Sequence, residues 1–211
     1  MKNKLYVIYD KLFSHFGPQH WWPGETPFEV AIGAILTQNT NWGNVEKAIG
    51  HLKKEGRLSP LKLHEMSVNK LASLIRPAGY FNIKAKRLKN FLDFVFRDYK
   101  GSLAKMNKED PGTIRKKLLE VNGIGPETAD SIMLYALEKP VFVIDTYTRR
   151  VLSRHNILEH DASYEEFQKL FHSWLEKDAR LFNEYHALFV KAGKEYCRTK
   201  PLCDKCPLKG V

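Results

Sequence analysis

The sequence has no long apolar run and few cysteines, and each shortage excludes a class of protein. No window approaches the roughly 18 consecutive apolar residues that a membrane-spanning helix requires. The first residues, MKNKLYVIYDKLF, alternate charged and apolar side chains and lack the apolar core of a signal peptide. The three cysteines all lie in the last fifteen residues, which argues against a disulfide framework. We therefore expect a cytoplasmic protein with no membrane contact.

Strand-like alternation is missing as well. Apolar spacing is helical nearly throughout, and no period of two persists beyond a few residues. The segment FEVAIGAIL is apolar on almost every face, so its helix should be central and buried. An all-α protein without internal repeats is expected, with helices near 3–15, 27–36, 43–54, 67–74, 82–98, 111–120, 127–138, 145–155, 163–175 and 180–195.

Positive charge is in excess, with 34 Lys and Arg against 24 Asp and Glu, for a formal net charge of +10. Such an excess favours a polyanionic partner. Any single basic cluster, taken alone, is better explained as a solvated helix face. Together with the turn described next, the clusters at 84–87, 115–117 and 149–150 favour DNA.

The stretch LLEVNGIGPETADSIMLYALEKPVFVID at 118–145 carries the strongest signal. Its tight turn, which the two glycines permit, places Pro126 at the start of a second helix. Backbone N–H groups at such a helix start can hold a phosphate without reading sequence. Downstream, Asp145 follows an apolar run as either a catalytic carboxylate or the N-cap of the next helix. The predicted turn residues are Asn122, Gly123, Ile124 and Gly125.

With these motifs the chain resembles the helix–hairpin–helix glycosylases of the endonuclease III superfamily. The match runs through LTQNT at 36–40, GYFNIKA at 79–85, the hairpin, VIDT at 143–146 and the terminal cysteines. It implies a two-domain, all-α helix–hairpin–helix glycosylase fold with a DNA cleft between the domains. Residues 27–137 would form the helical barrel domain, and residues 1–26 with 138–211 the second domain. The implied partner is double-stranded DNA containing a damaged base, bound by a monomer that is nucleoid-associated while on DNA.

The resemblance also assigns the chemistry. Asp145 would stabilise the positive charge that builds on the sugar as the glycosidic bond breaks. Bifunctional members carry a lysine nucleophile two residues after the second hairpin glycine, where this sequence has Glu127. Glutamate cannot form an imine, although it can stabilise a helix N-terminus. We therefore predict a monofunctional DNA N-glycosylase of base excision repair, which leaves an abasic site without cutting the strand.

The aromatic residues around the first barrel helix suggest the substrate. WWP before the helix and an aromatic after QNT resemble the bacterial 3-methyladenine glycosylase branch. There the corresponding residues sandwich the extruded base, a role that would fall here to Trp21, Trp22, Pro23 and Trp42, with Glu127 in the same pocket. An alkylated purine is cationic and gains about 0.5–2 kcal/mol from such rings. The alternatives are a glycosylase for uracil, mispaired thymine or oxidised bases, and a non-catalytic DNA-damage binder.

Two further side chains are candidates for filling the DNA after base extrusion. By the same resemblance Gln38 would occupy the space of the flipped nucleotide, and Tyr80 would press into the opposite strand. Lys84 and the hairpin residues would contact the DNA as well. Gln38 as a helix C-cap and Tyr80 as a packed surface ring are the alternatives.

The cysteines Cys197, Cys203 and Cys206 are spaced C-x5-C-x2-C. The family's [4Fe–4S] loop has four cysteines, commonly C-x6-C-x2-C-x5-C, so a fourth ligand would fall at position 212, beyond Val211. The implied cofactor is therefore a [4Fe–4S] cluster with an incomplete set of ligands within residues 1–211. A zinc site is the alternative, with His186 as a further ligand, although a packed or solvated histidine is the simpler interpretation of that residue.

Overall fold

Side-chain caps determine where most helices begin. In the computed structural model, which describes residues 1–22 and 24–211, the first buried helix starts at Thr26. The Thr26 hydroxyl accepts a hydrogen bond from the Glu29 backbone N–H at 3.1 Å. Ser163 and Glu166 form a complete capping box at a later helix.

The described residues form helices and no strand, which confirms the all-α prediction. None of these helices is long and apolar enough to cross a membrane. A π-helix at Ile132–Ala136 continues α9, and short 3₁₀ turns lie at Arg76–Ala78 and Cys203–Lys205. The α-helices are α1 (Lys2–Phe16), α2 (Pro27–Leu36), α3 (Trp42–Lys54), α4 (Pro60–Glu65), α5 (Val68–Leu74), α6 (Phe81–Tyr99), α7 (Leu103–Met106), α8 (Pro111–Leu119), α9 (Pro126–Ser131), α10 (Thr146–Arg154), α11 (Tyr164–Trp174) and α12 (Ala179–Glu195).

The short helices α4 and α7 were not predicted from the sequence. They contain six and four residues, too few to display a helical apolar period. Each begins at a serine, Ser59 or Ser102, whose hydroxyl accepts from a backbone N–H in the first turn. The capping serines were therefore the sequence features from which these two helices could have been predicted. The predicted helix at 127–138 also differs, because its second half is the π-helix.

The chain divides into two compact units, and each is described by itself. The discontinuous unit comprises Met1–Trp21 and Glu138–Val211, and the continuous unit comprises Trp22–Leu137. Sequence analysis had placed the boundaries at residues 27 and 137.

Helix α2 forms the centre of the continuous unit. Every residue from Phe28 to Leu36 is buried, which confirms the prediction for this helix. The one charged residue in that stretch, Glu29, pairs with Lys53 at 2.9 Å and is thereby compensated.

A cluster of buried aromatic rings forms the core of the discontinuous unit. Phe142 stacks on Phe171 with ring centroids 3.6 Å apart, and Tyr185 stacks on Phe189 at 4.7 Å. The buried Tyr185 hydroxyl donates a hydrogen bond of 2.7 Å to the Leu5 carbonyl. This bond ties α1 to α12 within the unit.

Candidate active site

Asp145 lies where a buried non-helical segment meets a helix in the discontinuous unit. Residues 141–144 are all buried, and Asp145 itself has an extended backbone. Its side chain is 13% exposed. One oxygen, Oδ1, accepts from the Thr148 backbone N–H at 2.7 Å and caps α10. The cap that the sequence allowed is present, and it occupies only one of the two carboxylate oxygens.

The second oxygen of Asp145 faces His186. The Nε2 atom of this α12 histidine lies 3.6 Å from Asp145 Oδ2, and its side chain is 6% exposed. Burial lowers the pKa of His186, and the charge of Asp145 opposes that shift only in part. A neutral imidazole therefore flanks the carboxylate at neutral pH. From the sequence His186 was either a zinc ligand or a packed or solvated histidine; it is packed, and its pairing with Asp145 was not predicted.

The hairpin connects α8 to α9 in the continuous unit. Gly123 has φ of 94°, and a Cβ there would lie 2.3 Å from Cγ of Arg87. Both the backbone conformation and the approach of Arg87 therefore demand glycine. Ile124 is buried beneath the turn, whereas Asn122 and Gly125 are exposed. The turn thus presents part of its backbone at the surface while one side chain anchors it.

Gln38 joins the LTQNT segment to this hairpin. Its Nε2 donates to the Gly123 carbonyl at 3.0 Å and to the Thr128 hydroxyl at 2.8 Å, and Arg87 donates to its Oε1. The C-cap of α2 is Thr37, so Gln38 is not the cap that was the alternative. Insertion into DNA, which stays a prediction, requires Gln38 to exchange these bonds.

Tyr80 is held in an outward position by unusual backbone geometry. Gly79 and Tyr80 have φ of 67° and 45°, and the Tyr80 side chain is 68% exposed. A non-glycine residue with positive φ is strained, and such strain concentrates at functional sites. The ring is therefore not packed against the surface of its own unit.

Lys84 differs from the expected DNA contact, because its ammonium group is inside the continuous unit. Nζ donates to the Leu36 carbonyl at 2.8 Å and to the Ala78 carbonyl at 2.7 Å. Burial and the nearby Arg87 lower its pKa to about 8. Lys84 thus links the end of α2 to the turn before Tyr80 and has a structural role here.

Three aromatic rings of the continuous unit form a cluster, and two of them lie beside Gly33. Trp22 lies edge-on to Trp42 with ring centroids 5.1 Å apart. The ring centroid of Tyr135 lies 4.9 Å from that of Trp22. A Cβ on Gly33 would lie 3.4 Å from Trp22 and 3.5 Å from Trp42, so the glycine allows close approach. Sequence analysis missed Tyr135, since a tyrosine within an apolar helical run resembles a core residue.

Three further residues were predicted to line the base pocket. Pro23 lies outside the described residues. Trp21 belongs to the discontinuous unit, where Lys194 Nζ lies 5.8 Å from its ring centroid. Glu127 is exposed in the first turn of α9.

The three cysteines line one cavity of about 250 Å³ in the discontinuous unit, together with Arg154 and His155. Arg154 Nη1 donates to Cys197 Sγ at 3.3 Å. Burial raises the pKa of the Cys206 thiol, and Cys197 and Cys203 add to the effect. Within the described residues, however, no group of three or more His, Cys, Asp or Glu side chains is arranged to hold a metal ion. Among the described residues, the three cysteines therefore do not fit the four-thiolate site that the resemblance implies.

Comparison with known proteins places this geometry in a family. The model of the HhH-GPD superfamily base excision DNA repair protein matches residues 32–177. A protein of Methanocaldococcus jannaschii, named as a DNA repair glycosylase, is 49% identical over 207 residues, which are 97% of this chain and 94% of that protein.

Two solved structures extend the comparison. The H. pylori 3-methyladenine DNA glycosylase bound to 1,N6-ethenoadenine aligns with a TM-score of 0.79 and 29% identity, covering 92% of this chain and 97% of that one. A trapped endonuclease III–DNA covalent intermediate aligns with a TM-score of 0.84 over 99% of this chain and 93% of that one. At 23% identity the second comparison supports the fold alone.

The burial of His186 predicts a loss of stability in acid. Because the pKa of His186 is lowered in the folded state, the unfolded chain binds more protons as the pH falls through the ordinary value of about 6.5. Titration of His186 therefore leaves the free energy of unfolding unchanged above that pH. Below it, the free energy of unfolding falls by at most about 1.4 kcal/mol per pH unit. Urea denaturation across pH 5–8 should show a flatter profile for His186→Gln than for the parent. The exposed His160→Gln should retain the parent slope, and equal slopes in all three proteins would contradict the prediction.

Proposed function

The chain belongs to the HhH-GPD superfamily of base excision DNA repair proteins, and we propose that it is a monofunctional DNA glycosylase acting on alkylated purines. Membership in the family makes DNA the substrate and base excision the reaction class. The proposal adds the absence of strand cleavage and the class of base. The observation that carries it is the largely shielded Asp145 carboxylate in a chain with Glu127 at the place of the family's lysine nucleophile.

Asp145 supplies the negative charge that the reaction needs. As the C1′–N bond breaks, its electron pair leaves with the base and positive charge develops on the deoxyribose. A carboxylate that is largely shielded from water stabilises this charge more strongly than an exposed one. Its Oδ1 is held by Thr148, which fixes the carboxylate before the substrate arrives. Water then adds to C1′ and gives up a proton, for which Asp145 is the proposed acceptor.

Glu127 is the reason for proposing that no strand cleavage follows. A bifunctional enzyme attacks C1′ with an amine and forms an imine, which then permits elimination of the phosphate. A glutamate at this place cannot form that bond. The product is therefore an intact strand with an abasic site.

The proposed base pocket contains Trp22, Trp42 and Tyr135. Electron-rich ring faces attract a cationic purine, whereas they gain less from a neutral base of the same size. An N3- or N7-alkylated purine leaves as a neutral molecule, so the enzyme does not have to protonate it. The similarity to a protein named for 3-methyladenine supports the same choice. The role of Trp21 in the pocket stays a prediction from the resemblance.

DNA binding is proposed to use the hairpin and the exposed Tyr80. Asn122, Gly123, Ile124 and Gly125 would hold a backbone phosphate, whose contact carries no sequence information. Tyr80 is proposed to enter the duplex. Its backbone already holds the side chain in an exposed position, so the tyrosine does not have to rearrange when DNA binds. Gln38 is the proposed occupant of the space left by the extruded nucleotide.

A panel of single-lesion duplexes tests the substrate class. We expect excision of 3-methyladenine and 7-methylguanine at rates at least tenfold above those for uracil, a T·G mismatch and an oxidised pyrimidine. Single-turnover assays with alkali treatment of the product measure these rates. Faster release of any of the last three would overturn the alkylated-purine proposal, and binding without excision of every lesion would indicate a non-catalytic damage sensor.

Borohydride trapping tests the absence of strand cleavage. Because Glu127 cannot form an imine, reduction during turnover should give no covalent adduct, and strand breaks should appear only after alkali. Denaturing gels of the labelled duplex report both outcomes. A band of covalent protein–DNA adduct, or strand breaks that appear without alkali, would contradict the monofunctional assignment.

A further inference from the structure

The segment that leads to Asp145 has an unusual set of hydrogen-bond partners. Residues 141–144 are buried and lie outside any helix, and the described residues contain no strand to pair with them. Buried backbone groups without partners cost roughly 1–3 kcal/mol each, so a buried segment outside any helix or sheet needs hydrogen-bond partners from elsewhere.

Helix α11 supplies those partners with three side chains. The Phe142 N–H donates to His172 Nε2 at 3.0 Å, and Gln168 Nε2 donates to the Phe142 carbonyl at 2.9 Å. The Ile144 N–H donates to the Tyr164 hydroxyl at 3.2 Å. Since Ile144 immediately precedes Asp145, the last of these bonds holds the backbone one residue before the carboxylate.

The spacing of the three side chains makes the arrangement a ladder. Positions 164, 168 and 172 are four residues apart, so they occupy one face of the helix in successive turns. The helix is fixed at its start by the Ser163–Glu166 capping box and in its middle by the stack of Phe171 on Phe142. A rigid helix face therefore runs alongside the segment and holds it at three points.

We propose that Tyr164, Gln168 and His172 are positioning residues that hold the Asp145 carboxylate in its reactive place. The inference rests on the proposed function, in which Asp145 is catalytic. The three side chains act through the backbone of Phe142 and Ile144. With Tyr164 holding the backbone one residue before Asp145 and Thr148 holding its Oδ1, the residue is constrained on both sides. Constraint of this kind matters because small displacements of a catalytic group lower the rate steeply.

Tyr164→Phe and Tyr185→Phe form a matched pair of variants that test the ladder. Each removes one hydroxyl that bonds to the backbone in the same unit, but the Tyr185 bond goes to Leu5. We expect Tyr164→Phe to lower the single-turnover excision rate on a 3-methyladenine duplex about tenfold. The loss stays below the roughly 10²-fold cost of a 1 Å displacement because the hydrogen bonds of Gln168 and His172 remain. The dissociation constant for the duplex should not change, and Tyr185→Phe should excise at the parent rate.

Amide hydrogen exchange supplies a readout that does not depend on activity. If the ladder positions Asp145, the Ile144 and Thr148 amides should exchange faster in Tyr164→Phe than in Tyr185→Phe. Thr148 is informative because its N–H bonds to Asp145 itself. Unchanged Thr148 exchange, or equal rates of excision in the two variants with equal exchange, would overturn the ladder. Faster Thr148 exchange without any loss of excision would support the ladder and refute the catalytic role of Asp145.

Discussion

Residues 141–144 cross the interior of the discontinuous unit without a neighbouring strand, and the site depends on how their backbone is satisfied. Apolar side chains bury the segment, while helix α11 provides hydrogen bonds to Phe142 and Ile144. A helix then starts at Asp145, and its capping bond uses one carboxylate oxygen. The same residue thus ends a buried segment, starts a helix and presents a shielded negative charge.

Buried polar groups organise both units in a similar way. In the discontinuous unit the neutral His186 lies beside Asp145, so that the carboxylate is not neutralised by a fixed cation. In the continuous unit Lys84 bridges two carbonyls and thereby connects α2 with the turn that exposes Tyr80. Gln38 connects the same end of α2 to the hairpin. The proposed DNA-contacting motifs of that unit are therefore joined by hydrogen bonds before any DNA is bound.

The sequence was informative wherever a local rule decided the structure. The caps at Thr26 and Asp145, the buried α2 and the glycine turn at Gly123 all follow from short-range sterics or from apolar periodicity. The role of Lys84 was not readable, because a lysine within a basic cluster gives no sign that its ammonium group turns inward. Tyr135 and the face of α11 were missed for a related reason, since their partners are distant in sequence. Periodicity reports which residues are buried and not which backbone groups they contact.

The negative charge of Asp145 is the central claim, and Asp145→Asn separates it from the capping role. Asparagine caps helices as well as aspartate does, so α10 and the stability of the fold should be retained. Asp178→Asn is the matched control, because Asp178 caps α12 in the same unit with a bond of the same length, 2.7 Å. Single-turnover excision should fall about 10²–10³-fold in Asp145→Asn and remain at the parent rate in Asp178→Asn, with unchanged duplex affinity in both. Excision by Asp145→Asn at the rate of the control would contradict the account.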